Sequence, residues 1–328
     1  MPRTGGFVQP RVLITGASGF LGHALALAAA ARDLPTRIAL RRPDPRFASG
    51  FEIVGVSGLD PNADWTRAVA GVQVIVHCAA RAHVLHERTS DPLAEYRRVN
   101  VAGTLNLARQ AIRAGAARLV FISSIGVNGA ETFGRAFTAE DKPAPTHPYA
   151  VSKFEAEMGL QKLSKDSGLE IVVIRPPLVY GPGARGNLAS MIRWIESGIP
   201  LPLGAVSNKR SLVALDNLTD LILVCLQHPA ASNQTLLVSD GEDLSTTELL
   251  RALGSAIDKP VRLIPVPLAL LRAGAFLGGR SEMAQKLLGS LQIDASKTRE
   301  LLRWAPPISV REGLRRVGRP RLNFRVSS

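Results

Sequence analysis

The chain has 328 residues, 46% hydrophobic and 5% aromatic, enough for one large domain or two modest ones. Its net charge is +13, but the arginines are spread along the chain and aromatics are few, which argues against a nucleic-acid-binding protein. The two cysteines, Cys78 and Cys225, lie far apart in apolar runs, so neither a disulfide framework nor a metal site is indicated, and we expect a cytoplasmic protein.

Short apolar runs alternate with longer segments through the first half of the chain. This alternation predicts an α/β protein with a doubly wound parallel sheet and helices on both faces. Residues 1–10 lack any strand or helix period, and we expect them to be flexible. The expected strands are Arg11–Ile14, Thr36–Leu40, Glu52–Val56, Val74–His77, Arg118–Ser123 and Glu170–Ile174, and the main expected helices are Pro92–Ala114 and Tyr149–Ser167.

A glycine-rich turn follows the first strand. The chain passes through Gly16, Gly19 and Gly22 into an alanine-rich helix over roughly His23–Ala31. A strand, a tight glycine turn and a helix N-terminus together form a phosphate site, because the backbone approaches a pyrophosphate closely and offers free N–H groups. The spacing GxxGxxG differs from the commoner GxGxxG, and a purely structural turn is the alternative. Its place at the first strand–helix junction favours a dinucleotide site.

The second expected strand ends at Arg41 and Arg42. In dinucleotide folds this end faces the adenosine ribose, where an acid binds the free 2′-hydroxyl of NAD and an arginine favours the 2′-phosphate of NADP. No acid occurs until Asp44. We therefore expect NADP(H) to be preferred, with NAD(H) possible; a solvated basic loop is the alternative.

Two serines end the fifth expected strand, at Ser123 and Ser124, and the helix after the next loop carries Tyr149 and Lys153. The i, i+4 spacing places the last two side chains on one helical face. A free phenol has a pKa of about 10, and a nearby ammonium favours the phenolate. Tyr149 would then exchange a proton with a substrate hydroxyl while Ser124 binds the same oxygen. Alone, YxxxK also occurs on exposed helices.

These motifs together resemble the extended branch of the short-chain dehydrogenase/reductase family. The N-terminal pattern TGxxGFLG is similar to that family's cofactor turn, which implies that Phe20 and Leu21 belong to the cofactor site with the glycines. Ser124, Tyr149 and Lys153 follow in the family's order, which implies that they are the catalytic residues. The resemblance covers roughly Arg11–Leu314, and it implies a homodimer formed through the helices Pro92–Ala114 and Tyr149–Ser167.

The resemblance also implies further cofactor contacts. Leu59 follows the third strand near the adenine, although Gly58 stands where many relatives carry an aspartate. The remaining implied contacts are the alanine pair after the fourth strand, the asparagine of an NxxGT pattern and a proline after the sixth strand: Ala79, Ala80, Asn100 and Pro176. A metal is not expected, because His77, His83 and His86 lack a matching carboxylate set.

The second half of the chain resembles the nucleotide-sugar members of this branch. Asn187, Leu188 and Arg210 match positions that bind the substrate diphosphate, and an arginine fork suits such a group. We expect Asp216 to cap the following helix. The apolar stretch Pro265–Gly279 is interrupted by Pro267 and Arg272, so no membrane span is expected.

The sequence therefore predicts a dinucleotide-binding domain over residues 11–180, with a return segment near 208–240, and a smaller substrate-binding lobe over 181–315. We expect residues 316–328 to be a flexible basic end. The resemblance implies hydride transfer at C4 of a UDP-hexose, by a 4-ketoreductase of the UDP-N-acetylquinovosamine dehydrogenase type. A 4-epimerase that retains NAD is the alternative, and a non-catalytic dinucleotide-binding regulator is a third reading.

Overall fold

A seven-stranded parallel sheet forms the centre of the structure, a computed structural model that describes residues 9–47, 50–82, 90–184 and 186–318. The strands are β1 Val12–Thr15, β2 Thr36–Leu40, β3 Glu52–Gly55, β4 Val74–His77, β5 Arg118–Ile122, β6 Glu170–Arg175, β7 Leu178–Tyr180, β8 Arg210–Ala214, β9 Thr235–Leu237 and β10 Asp243–Leu244. The main sheet has the order β3-β2-β1-β4-β5-β6-β9, with every pair parallel. This is the doubly wound, Rossmann-type α/β fold, and it confirms the predicted fold class.

Helices cover both faces of this sheet and build most of the second lobe. They are α1 Phe20–Ala30, α2 Thr66–Val69, α3 Pro92–Tyr96, α4 Thr104–Arg113, α5 Pro148–Ser167, α6 Asn187–Glu196, α7 Leu215–Cys225, α8 Thr246–Ala256, α9 Leu268–Leu277, α10 Ser281–Leu288, α11 Ser296–Leu302 and α12 Val310–Val317. The helix expected over Pro92–Ala114 is interrupted, because a π-helical segment, Arg97–Gly103, joins α3 to α4. Such segments often occur at functional sites.

Two hydrophobic clusters enclose the main sheet, one on each face. Ile14 of β1 packs with Leu25 of α1 and Ile222 of α7, whereas its neighbour Leu13 packs on the opposite face with Leu107 of α4. Successive side chains of a strand point to opposite faces, so a strand covered on both sides is apolar throughout. This explains the continuous apolar run of β1.

A three-stranded sheet, β10-β8-β7, organises the second lobe. β7 pairs with β8 in parallel, and β10 pairs with β8 antiparallel. The lobe has its own apolar cluster, which includes Leu212 of β8 and Leu250 of α8. Within the predicted return segment, α7 packs on the main sheet and β9 is one of its strands, whereas β8 lies in the second sheet.

Both ends of the chain, residues 1–10 and 316–328, are predicted to be flexible. Residues 1–8 and 319–328 lie outside the described residues. The prediction of a flexible end from residue 316 is wrong for the first positions, because α12 continues to Val317, whose side chain is buried with Leu314 against α8 and β8. No helix in the described ranges is long and apolar enough to cross a membrane.

Candidate active site

The glycine turn packs backbone against backbone at the end of β4. Gly16 has a φ of +72°, and a Cβ there would lie 2.6 Å from the Ala79 nitrogen. Gly19 is the N-cap of α1 and forms no side-chain cap. Phe20 and Leu21, both half-buried, occupy the first turn of α1. A tight turn that leads into a helix start without a side-chain cap fits the pyrophosphate of a dinucleotide.

The loop after β2 carries the predicted ribose contacts. Arg41 and Arg42 are both exposed. The first acid of the loop, Asp44, binds the Arg46 guanidinium at 2.5 Å, which lowers the pKa of that carboxyl. Arg46 also donates a hydrogen bond to the Ser18 carbonyl at 3.0 Å, so it fastens the loop to the glycine turn. The charge of Asp44 is thus neutralised locally, and Arg41 and Arg42 leave this edge positive.

Tyr149 and Lys153 lie in the first turns of α5. His147 is the N-cap, and its Nδ1 accepts a hydrogen bond from the Tyr149 nitrogen at 3.3 Å. The buried Lys153 Nζ donates to the Ile122 carbonyl at 2.8 Å and lies 4.5 Å from the Phe121 ring centroid. Burial lowers the pKa of Lys153 to about 8.

The phenol of Tyr149 has Lys153 and Tyr96 as neighbours. Its ring centroid lies 5.9 Å from the Lys153 ammonium and 6.0 Å from the ring of Tyr96. Removal from water raises the pKa of Tyr149, with a smaller contribution from Tyr96. Desolvation therefore dominates the pKa of Tyr149 in the protein without cofactor.

Ser124 lies where the chain leaves β5. Its Oγ accepts a hydrogen bond from the Gly126 nitrogen at 3.2 Å and so caps the 3₁₀ turn Ile125–Val127. A Cβ on Gly126 would lie 3.3 Å from that of Ala150, the neighbour of Tyr149 on α5. The structure therefore packs the Ser124 turn directly against the start of the Tyr149–Lys153 helix.

Asn100 joins the chain after β4 to the helix that carries Tyr149. Its amide accepts a bond from the Arg81 nitrogen at 2.8 Å and donates to the Arg81 carbonyl and to Ser152 Oγ. Ser152 in turn donates to the Tyr149 carbonyl at 2.7 Å. These bonds brace the chain after β4 against α5, and a contact between Asn100 and the cofactor stays a prediction.

The other predicted cofactor contacts surround the same edge of the sheet. Half-buried Leu59 lies against Gly103, where a Cβ would approach the Leu59 Cγ to 2.9 Å. The Ala79 nitrogen donates to Thr15 Oγ1 at 3.3 Å, and Ala80 beside it is half-buried. Pro176 is buried, and its carbonyl accepts a bond from the Ile125 nitrogen at 3.0 Å.

His77 belongs to the core. Its two ring nitrogens lie 2.7 Å from Thr15 Oγ1 and 2.9 Å from Thr104 Oγ1, and burial lowers its pKa to about 3. His83 and His86 lie outside the described residues. Among the residues that are described, no group of His, Cys, Asp and Glu could hold a metal.

A buried ion pair under the Ser124 turn was missed from the sequence. The Arg175 Nη2 donates to the Glu157 carboxylate at 2.6 Å, and both side chains are at most 5% exposed. Ser123 donates its hydroxyl to the same carboxylate, and Arg175 Nη1 donates to Asn128 Oδ1 at 2.9 Å. The sequence carried one signal for Glu157, its spacing, because it follows Tyr149 and Lys153 at successive steps of four residues on the same helical face.

The predicted substrate residues lie in the second lobe. Arg210 is half-buried at the start of β8 and donates to the Gly289 carbonyl at 3.0 Å. Asn187 is exposed at the first position of α6. The side chain of Leu188 is 0% exposed in the lobe's apolar cluster, and the predicted substrate contact at this position stays a prediction.

The expected cap by Asp216 is also wrong. Asp216 lies in the first turn of α7 and pairs with Arg316 at 2.7 Å. Instead, the carboxylate of Asp240 accepts the Ala214 N–H at 3.0 Å and the Tyr180 hydroxyl at 2.6 Å. The carboxylate of Asp240, which is distant in sequence, therefore binds the N-cap residue of α7.

Comparison with known proteins places this geometry in context. Residues 12–238 match the NAD dependent epimerase/dehydratase family. A UDP-glucose 4-epimerase from Vibrio cholerae is 44% identical over 96% of each chain. An N-acetyl-alpha-D-glucosaminyl-diphospho-ditrans,octacis-undecaprenol 4-epimerase from Escherichia coli O157:H7 is 27% identical and covers 94% of this chain and 95% of its own.

Solved structures share the fold at lower identity. A UDP-glucose 4-epimerase from Thermotoga maritima with UDP-glucose has a TM-score of 0.74 at 20% identity, covering 94% of this chain and 97% of that one. A UDP-glucuronic acid 4-epimerase from Bacillus cereus in complex with NAD has a TM-score of 0.76 at 19% identity with the same coverage. At these identities the likeness concerns the fold.

Proposed function

Since the chain belongs to the NAD dependent epimerase/dehydratase family, we propose that it is a nucleotide-sugar 4-epimerase that acts on a UDP-hexose and keeps its dinucleotide bound. The observation that carries this proposal is the packing of the Ser124 turn against the helix with Tyr149 and Lys153. The name of the Vibrio cholerae relative favours the epimerase over the 4-ketoreductase of our main prediction.

The proposed chemistry divides between the cofactor and the side chains. When bound, the dinucleotide would supply the hydride chemistry at C4 of the sugar. Tyr149 takes the proton of the C4 hydroxyl and later gives it back. Ser124 donates a hydrogen bond to the same oxygen and holds it at the phenol. Lys153, fixed by the Ile122 carbonyl, supplies a positive charge close to the proton that moves.

Residues of the glycine turn and the neighbouring strand ends would hold the dinucleotide. Gly16, Gly19 and Gly22 allow the tight backbone turn that would approach the pyrophosphate. The Leu59, Ala79 and Ala80 positions would line the adenine and ribose side. On the substrate side, Arg210 uses one N–H on Gly289, and its remaining donors suit a diphosphate. Asn187, exposed at the start of α6, would be its partner.

The 4-ketoreductase is the second candidate, and one observation favours it. Arg41 and Arg42 are exposed at the end of β2, and the nearest acid, Asp44, is paired with Arg46. This arrangement suits a 2′-phosphate, and NADP(H) is the usual reducing cofactor. A reductase would transfer a hydride once and release the cofactor.

The first measurement is the nucleotide content of the purified protein, released by acid and identified by chromatography. For an epimerase we expect near-stoichiometric dinucleotide and interconversion of UDP-glucose and UDP-galactose. A protein without bound nucleotide that oxidises NADPH with a 4-keto UDP-sugar would replace this proposal with the reductase.

The second measurement tests the assignment of Tyr149. We expect Tyr149→Phe to retain its dinucleotide and melting temperature but to lose turnover by about 10²-fold or more. Unchanged turnover in this variant would refute the catalytic role of the tyrosine.

A further inference from the structure

The outward side of α9 is apolar. Leu270, Phe276 and Leu277 are 63%, 76% and 85% exposed, and we call this set the apolar face of α9. Ala273 lies between Leu270 and Leu277 at i+3 and is exposed as well. A helix on a protein surface normally turns its polar side to water. This contiguous apolar face therefore indicates a partner.

The opposite side of α9 already has its packing partners. Leu271 is half-buried and joins Ala284 and Leu287 of α10 at the edge of the second lobe's apolar cluster. Met283 of α10 is 43% exposed and extends the apolar face. The protein thus holds the helix in place from one side, and the apolar face remains outside.

Basic residues lie on α9 and on the chain segments directly before and after it, between Asp258 and Glu282. Residues 259–281 contain four basic and no acidic residues. The four are Lys259, Arg262, Arg272 and Arg280. All are exposed, and none forms an ion pair within the described part of the chain. Two copies joined through this face would bring these charges together. The charge therefore favours an anionic partner over a second copy.

We propose that the apolar face of α9 docks on an anionic lipid bilayer. Leu270, Phe276 and Leu277 enter the boundary between headgroups and acyl chains, and Arg272 and Arg280 lie at the lipid phosphates. With ten residues the helix is far too short to span the membrane, which needs about 20. It lies in the plane of the interface.

The docking surface borders the candidate active site. Glu282, in the first turn of α10, lies 3.9 Å from His147, the N-cap of the helix that carries Tyr149. The carbonyl of Gly289, directly after α10, accepts the bond from Arg210. Docking through α9 therefore brings the bilayer close to the side of the molecule where we place the substrate.

The test is sedimentation of the full-length protein with sucrose-loaded vesicles. We expect it to sediment with vesicles of phosphatidylcholine and phosphatidylglycerol in equal parts, to remain soluble with phosphatidylcholine alone, and to bind less at high salt. Leu270→Glu/Leu277→Glu is expected to bind the mixed vesicles at least about tenfold more weakly than the parent. Both side chains are exposed, so its circular dichroism should equal the parent's.

A matched control places the same charge elsewhere. Ile53 on β3 is 44% exposed, and Ile53→Glu is expected to bind vesicles like the parent. The proposal is overturned if the parent ignores the mixed vesicles, or if the double variant binds as the parent does. It is also overturned if the double variant converts a larger assembly to a smaller one in light scattering while vesicle binding is unchanged, because a second copy then covers the face.

Discussion

Replacement of Glu157 by glutamine removes the charge that balances Arg175 inside the protein. The guanidinium is 5% exposed and donates two of its N–H groups to the carboxylate, at 2.6 and 3.1 Å. Glu157→Gln keeps the size of the side chain but turns an amide towards the guanidinium. Arg175 then remains buried without a counter-charge, and its hydrogen-bond acceptors are the glutamine oxygen and Asn128.

The expected cost follows from the burial of both groups. Removal of one partner from a buried ion pair destabilises a protein by about 3–5 kcal/mol, because the other charge stays out of water. The whole free energy of unfolding of a domain is about 5–15 kcal/mol. Glu157→Leu/Arg175→Met removes both charges, and since apolar pairs of similar volume often replace buried ion pairs, it should recover most of the loss. Ser123 and Asn128 lose a partner in this variant, so recovery should be incomplete.

Urea unfolding followed by circular dichroism measures these differences. The matched control is Glu155→Gln, two residues away on α5, because Glu155 pairs with Arg97 at the surface, where the two side chains are 30% and 51% exposed. An exposed pair contributes little, so the control should unfold close to the parent. Equal midpoints for Glu157→Gln and Glu155→Gln would refute the argument that burial makes this pair important. A Glu157→Leu/Arg175→Met variant less stable than Glu157→Gln would refute it as well.

Further expectations concern pH, glycine packing and assembly. Because the pKa of Lys153 is about 8 in the folded protein and 10.5 in the reference state, the unfolded chain binds the extra proton between these values. The stability of the cofactor-free protein relative to Lys153→Met should therefore rise from pH 8 towards 10, and a flat difference in melting temperature would contradict this. Gly103→Ala should lose about 1–3 kcal/mol, because its Cβ would press on Leu59, whereas Gly274→Ala, with nothing within 4 Å, should gain about 0.5–1 kcal/mol; parallel urea curves test the opposite signs. Met158 is 53% exposed on α5, in the predicted dimer surface, so Met158→Glu should halve the mass in light scattering while Ile53→Glu leaves it unchanged; a monomeric parent would end the dimer proposal.

The parts of the fold that local sequence determines were predicted closely. β2 and β4 have the predicted limits, because most of their side chains are apolar and lie in the core. α1 starts at Phe20, earlier than expected, because Gly19 is already its N-cap. α5 begins at Pro148, one residue before the prediction, where proline suits the first helical position.

Partners that are distant in sequence could not be predicted in the same way. Asp216 has the local position of a cap. The carboxylate that accepts hydrogen bonds at the start of α7, from the Ala214 nitrogen and from Asn217 Nδ2, instead belongs to Asp240, which follows β9. Asn100 meets Ser152 across 52 positions, and only the packing of the π-helical segment on α5 brings them together. Leu188 matched a motif, but the amphipathic turn of α6 directs its side chain into the core. Motif spacing identifies which residues matter and leaves open whether each contacts a ligand or supports a residue that does.

The same acid–base pair serves both candidate reactions. Desolvation lowers the pKa of Lys153 and raises that of Tyr149, so each group favours its neutral form in the protein without cofactor. The same pair would therefore move a proton for an epimerase or for a reductase. What differs between the two reactions is whether the dinucleotide stays. We infer that the β2 loop contributes to this retention, because Arg46 joins Asp44 to the Ser18 carbonyl of the glycine turn. Arg46→Ala, which removes this link, should therefore retain less dinucleotide than the parent.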